Sequence, residues 1–141
     1  MRALGTTLTI ALSSVALAQA AWGYQPKVNF QVHCMGCHLA DGSGQPGRVP
    51  SIRRSLVLFS ESSAGRDYVI RVPGVAQSPL SNADTAALLN WMARNLSDVP
   101  PPPGFTDYSA SEVQSLRGRP LAQVRPIRAR LLRATAAQNP Q

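Results

Sequence analysis

Asn29-Phe30-Gln31-Val32-His33-Cys34-Met35-Gly36-Cys37-His38-Leu39-Ala40-Asp41-Gly42-Ser43-Gly44 is the stretch on which the reading of this chain turns. Cys34 and Cys37 are the only cysteines in 141 residues, and His38 follows the second at once. A Cys-x-x-Cys-His run is the attachment signature of c-type haem. On a helix, residues three and four apart share a face, so both thiols and the imidazole can address one flat macrocycle. The thiols would add to the haem vinyl groups, and His38 would give a ring nitrogen to the iron as proximal ligand. Its other nitrogen then needs an acceptor to fix the tautomer.

Other uses of the pair fit less well. A disulfide across two intervening residues closes a loop too small to constrain much. A thioredoxin-like pair wants a βαβ context, which the chain does not show. Zinc needs four ligands, and with only His33 and His38 beside the cysteines all four would crowd into six residues. His33 itself reads as solvated or hydrogen-bonded nearby.

Working outward, Arg2 precedes an apolar, small-residue stretch from Ala3 that ends in Ala18-Gln19-Ala20. That order matches a secretory signal peptide over residues 1–20, cleaved after Ala20. The run is short for a membrane span and is broken by Thr6, Thr7, Thr9, Ser13 and Ser14. The mature chain is therefore expected in the periplasm with no membrane span. There the two thiols must be oxidised, bound or otherwise used up.

Residues 27–38 fit either a strand or a short helix ending near Gly36. Residues 41–47 are loop, punctuated by Gly and Pro. Residues 51–61 read as one or two helical turns, and residues 66–72 as strand or helix, stopped by Pro73-Gly74. Ser81-Asn82-Ala83-Asp84 has the form of a capping box opening a helix. Thr85, Leu88, Leu89, Met92 and Leu96 then recur on one stripe. Pro100 to Gly104 reads as a stiff linker closing a domain over residues 21–104. A basic C-terminal extension, 105–141, follows. In it Ser109 opens a short helix, and residues 121–134 form an arginine-rich helical candidate interrupted by Pro126. The formal charge is +7, and no acid follows Glu112, so the basicity sits in this extension.

The Asn29–Gly44 run resembles the first helix and haem loop of single-domain class I bacterial cytochromes c. Pro79-Leu80-Ser81-Asn82-Ala83-Asp84, leading into Ala86 to Met92, is similar to the family's last helix. The resemblance covers about residues 29–96. It implies an all-α cytochrome c fold: a small helical domain around one covalent haem c, here with a helical C-terminal extension. It implies that the first and last helices cross at Phe30 and Trp91, that the first segment is helix, and that the Pro50 carbonyl accepts the second N–H of His38. The family usually takes a distal methionine from the loop before the last helix. Here that loop, residues 72–80, contains none. Met92, expected to fill core space, and Gln77 are the remaining distal candidates for the iron, and the distal position is otherwise open.

The expected function is that of a periplasmic electron carrier between a dehydrogenase and an oxidase or other cytochrome. Five aspartates and two glutamates are scattered along the chain, leaving little material for acid–base catalysis, so an enzyme is not expected. The alternatives are a haem-based binder or sensor of small ligands with an open distal site, and an electron-transfer subunit of a larger oxidoreductase. The extension is expected to pack on the haem domain or dock on an acidic partner. Export argues against nucleic acid as that partner. Arg48, Arg53, Arg54, Arg66 and Arg71 are candidates to serve haem propionates, each against a reading as ordinary solvated surface.

Overall fold

The computed structural model describes residues 25–138, and the signal peptide and its cleavage point lie outside that range. Among the described residues there are seven helices and no sheet. They are α1 (Pro26–His33), α2 (Ser55–Ser60), α3 (Ser63–Arg71), α4 (Pro73–Ala76), α5 (Asn82–Asn95), α6 (Ala110–Arg117) and α7 (Val124–Gln138). The all-α expectation holds: of the ambiguous segments, residues 66–71 are helical and so are residues 27–33, but the first helix ends at His33, short of the expected Gly36, and residues 34–38 form a turn.

Local chemistry explains most of the boundaries. Pro26 opens α1, where its missing N–H has no intrahelical partner to lose. Ser62, Ser81 and Ser109 cap α3, α5 and α6, accepting the backbone N–H groups of Gly65, Asp84 and Glu112 at 3.0–3.1 Å. At α5 the capping box differs from the sequence pattern: Ser81 Oγ itself donates to the Asp84 carboxylate at 2.6 Å. Pro73-Gly74 ends α3 as expected, yet Pro73 also begins the short α4. Pro126 does not interrupt the last helix. It is the third residue of α7, inside the first turn, where a missing N–H costs nothing.

The core gathers on α5, whose Thr85, Ala86, Leu88, Leu89, Met92 and Ala93 are buried. On one side α5 packs against α1, with the Phe30 and Trp91 rings 5.9 Å apart and tilted by 44°. This is the aromatic crossing that the resemblance implies. On another side lies α6, whose Val113 is fully buried. The α2–α3 pair closes the third side, with the Phe59 and Tyr68 rings edge-on at 5.4 Å. Gly65 allows that close turn, since a Cβ there would sit 1.9 Å from the Phe59 carbonyl oxygen.

The segment after Gly104 is integral to this packing. Asn90 donates to the Tyr108 carbonyl and accepts the Tyr108 N–H, at 3.0 and 2.8 Å, so it holds that backbone as a strand neighbour would. The Tyr108 hydroxyl meets Ser60 Oγ at 2.6 Å inside the core. Burial, chiefly, pushes the Tyr108 phenol up to about 12. Arg66 binds both Glu112 carboxylate oxygens at 2.6–2.7 Å and covers the Tyr108 ring at 4.1 Å. Arg117 donates to the carbonyls of Leu80 and Ser78 at 2.8 and 2.6 Å, saturating the turn between α4 and α5. The Leu121 N–H then bonds the Arg71 carbonyl at 2.9 Å and leads the chain into α7, which lies on α2 and α3.

Candidate functional site

The turn after α1 brings the motif together. The Cys34 carbonyl accepts N–H groups from both Cys37 and His38, at 3.1 and 2.9 Å, so the chain folds back on itself in one tight loop. Cys34 is half-buried and Cys37 exposed, and both are free thiols. Burial first, and then the neighbouring Cys37, push the Cys34 thiol up to about 11, so it is protonated at neutral pH. Burial lowers the His38 value, keeping its imidazole neutral, the form that can ligate a metal. His38 Nδ1 is buried without a hydrogen-bond partner.

These three side chains line one cavity of about 270 Å³. Its other walls come from Pro50 and Ile52, from Leu56 and Phe59 of α2, from Tyr68, Val69 and Val72 of α3, from Gly74 and Val75 of α4, and from Leu89 and Met92 of α5. Val124 and Arg128 of α7 complete it. No aspartate or glutamate lines it. A hollow of this kind among apolar helices lacks the close packing of a core, and is the form a flat apolar cofactor would fill.

The loop that follows the motif leads the chain to Pro50, Ser51 and Ile52 of the cavity lining. Ser43 donates through both its backbone N–H and its hydroxyl to Asp41, at 2.9 and 2.7 Å. Those bonds, with Arg53 adding to them, hold the Asp41 carboxyl down at about 2. Arg53 bridges Asp41 and Asp98, tying this loop to the chain leaving α5. Gly44 lets the loop double back, because a Cβ there would lie 1.9 Å from the Val49 carbonyl oxygen. This contact delivers Pro50 to the cavity wall.

The residues singled out in the sequence separate cleanly. Cys34, Cys37, His38, Pro50 and Met92 share the cavity, whereas Gln77 is exposed and outside its lining. His38 Nδ1 makes no hydrogen bond to Pro50, although both face the same space. His33 also lines it. Among the described residues no three His, Cys, Asp or Glu side chains converge on a point where a bare metal ion could sit. The donor set fits a macrocycle better: two thiols to one edge, one neutral imidazole with a buried nitrogen wanting a partner, and apolar walls. Arg53, Arg66 and Arg71, candidates for propionates in the sequence, are committed to Asp41 and Asp98, to Glu112, and to Asp67 and the Arg119 carbonyl. Val124 and Arg128 were invisible as site residues, because only packing brings α7 to the cavity.

No protein-family model matches the chain. It is 30% identical over 128 residues to a cytochrome c-552 of Thermus thermophilus, a match covering 78% of this chain and 83% of that one. It is also 30% identical over 106 residues to a second cytochrome c-552 from Thermus thermophilus, covering 62% of this chain and 81% of the relative.

Proposed function

This chain belongs to the class I cytochrome c family, and from that premise we propose that it carries single electrons in the periplasm, between a dehydrogenase and a downstream oxidase or cytochrome. Membership of the family implies haem c as cofactor, a group that supplies a reversible one-electron couple at its iron. Cys34 and Cys37 would hold that haem through two thioethers, and His38 would be the proximal ligand, with the Pro50 carbonyl as acceptor for its second nitrogen. The observation that carries this assignment is the meeting of both thiols and the neutral imidazole on one apolar cavity. The protein part of the work is then static: it excludes water, fixes the imidazole, and leaves one edge of the motif, at exposed Cys37, near the surface where a partner can approach. The periplasmic location rests on the signal-like residues 1–20. Among the described residues no helix is long and apolar enough to cross a membrane.

Protein produced with the haem-attachment machinery active is expected to keep its red colour through acid–acetone extraction. The Cys34→Ala/Cys37→Ala double variant should release it entirely. Colour extracted from the unaltered chain would refute the attachment.

On the distal side, α4 presents Gly74 and Val75 to the cavity, neither of which has a ligating side chain. This favours an iron without a ligand from that loop, and it keeps the ligand-binding reading alive as the second choice. Met92 is the one methionine among the residues lining the cavity. Carbon monoxide added to the reduced protein separates the two: prompt stoichiometric binding supports the binder, and an unchanged spectrum supports the carrier with Met92 as sixth ligand.

A further inference from the structure

We propose that Arg128, on α7 of the C-terminal extension, pairs with a propionate carboxylate of the haem, which makes the extension part of the cofactor's cradle. The inference rests on the haem reading above and adds a residue that the motif does not contain. Val124 and Arg128 are four apart, so they share one face of α7, and both line the cavity that holds Cys34, Cys37 and His38.

Arg128 differs from the other half-buried arginines in what it lacks. Arg53, Arg66, Arg71 and Arg117 all spend their donors on carboxylates or carbonyls of the chain. Arg128 is half-buried and lies over the Phe59 ring, 5.8 Å from its centroid. It makes no hydrogen bond or ion pair with any described residue. Arg128 also lines a second, open hollow together with Glu61 and Asp98, and neither carboxylate pairs with it. Tyr68 faces the same cavity, close enough to feel the guanidinium charge, and its hydroxyl also has no hydrogen-bond partner among the described residues.

A guanidinium and a phenol thus stand beside an apolar hollow whose walls carry no acid. A cation left without an anion in such a place is costly, and a charge-assisted pair is the usual remedy. The acidic groups of a haem are its two propionates, so the cofactor brings the missing anion with it. The pairing has an electrostatic consequence. An unneutralised carboxylate near the iron opposes arrival of an electron, and Arg128 removes that opposition. It is a positioning residue for the cofactor and a setting for its potential.

The test uses full-length holoprotein carrying Arg128→Met, which keeps an aliphatic stem over Phe59, and Arg128→Lys, which keeps the charge and loses the fork. The measurements are the reduction potential and the redox-difference infrared bands of haem labelled with carbon-13 at the propionates. In R128M the reduction equilibrium is expected to become roughly three- to tenfold less favourable at an effective dielectric near 20, tenfold being about 59 mV for one electron. The labelled carboxylate bands should move as well, and R128K should recover most of the potential. Unchanged potential and bands in R128M would overturn the pairing. So would unchanged bands with weakened azide binding, which would give Arg128 an exogenous anion instead. If R128M fails to fold, R128K still decides, since loss of the fork must move the bands at an unaltered melting temperature. Colour that survives acid–acetone in every variant keeps a negative result here distinct from failure of the haem assignment.

Discussion

The two helices of the C-terminal extension make opposite use of the same amino acid. At α6 two arginines have their donors placed: Arg66 grips Glu112 from α3, and Arg117 reaches back to the Ser78 and Leu80 carbonyls. Val113 between them is sealed from solvent. On α7 no acid accompanies Arg125, Arg128, Arg130 and Arg133, and Leu132 is 38% exposed. The one arginine of α7 that turns inward meets a cavity rather than a carboxylate. Arginine with all its donors placed acts as a structural clamp. Arginine held beside an apolar hollow with its donors free points to a group that the polypeptide does not supply.

Shortening the chain gives the largest separation between the two helices. Ending it after Gly104 removes Tyr108, Val113 and Leu121 from the core, at about 1.5–3 kcal/mol for each buried side chain, so about 5–9 kcal/mol in all. That rivals the whole stability of a small domain, and denaturant titration should find the product unfolded. Ending it after Gln123 keeps α6 and loses only α7, so a cooperative unfolding transition should survive, displaced by about 2 kcal/mol. A folded product from the shorter chain would break the contrast.

Point substitutions sharpen it. Arg117→Met leaves the half-buried Ser78 and Leu80 carbonyls of the α4–α5 turn without that donor and should lower stability by about 2 kcal/mol in urea titrations. Arg128→Met, with no protein partner to orphan, should stay within about 1 kcal/mol. Equal losses at the two positions would mean that both are clamps.

Alkali tests the α6 side through its buried phenol, Tyr108. The Tyr108 phenol is raised from 10.0 to about 12, so the folded chain keeps its proton after the unfolded chain has lost it. Stability is therefore whole below pH 10 and falls by about 2 kcal/mol as the pH rises towards 12. Tyr108→Phe should flatten that decline while giving up the hydroxyl contact with Ser60.

How much of this was legible beforehand differs by residue. The meeting of Cys34, Cys37 and His38 on one cavity, the capped start of α5 and its buried stripe were readable, because each depends on spacing within one or two turns. Pro126 was misread because a proline's effect depends on where the helix begins, and α7 begins at Val124. Residues 27–38 could not be told from a strand by periodicity, since Phe30 is buried while Val32 is 66% exposed. Arg66 and Arg71 looked like propionate partners by their position beside Tyr68. The carboxylate that claims Arg66 lies 46 residues away.

By itself, then, the sequence determined that Cys34, Cys37 and His38 stand within one turn of each other, the helical class of the chain, and the basic character of its last quarter. These follow from local geometry and composition, which neighbouring residues settle among themselves. Only the tertiary structure decided that α6 belongs to the core, that Met92 faces the cavity and Gln77 does not, and that α7 closes the cavity with Arg128. Those outcomes depend on which distant surfaces meet when apolar area is withdrawn from water, and no short-range pattern records that.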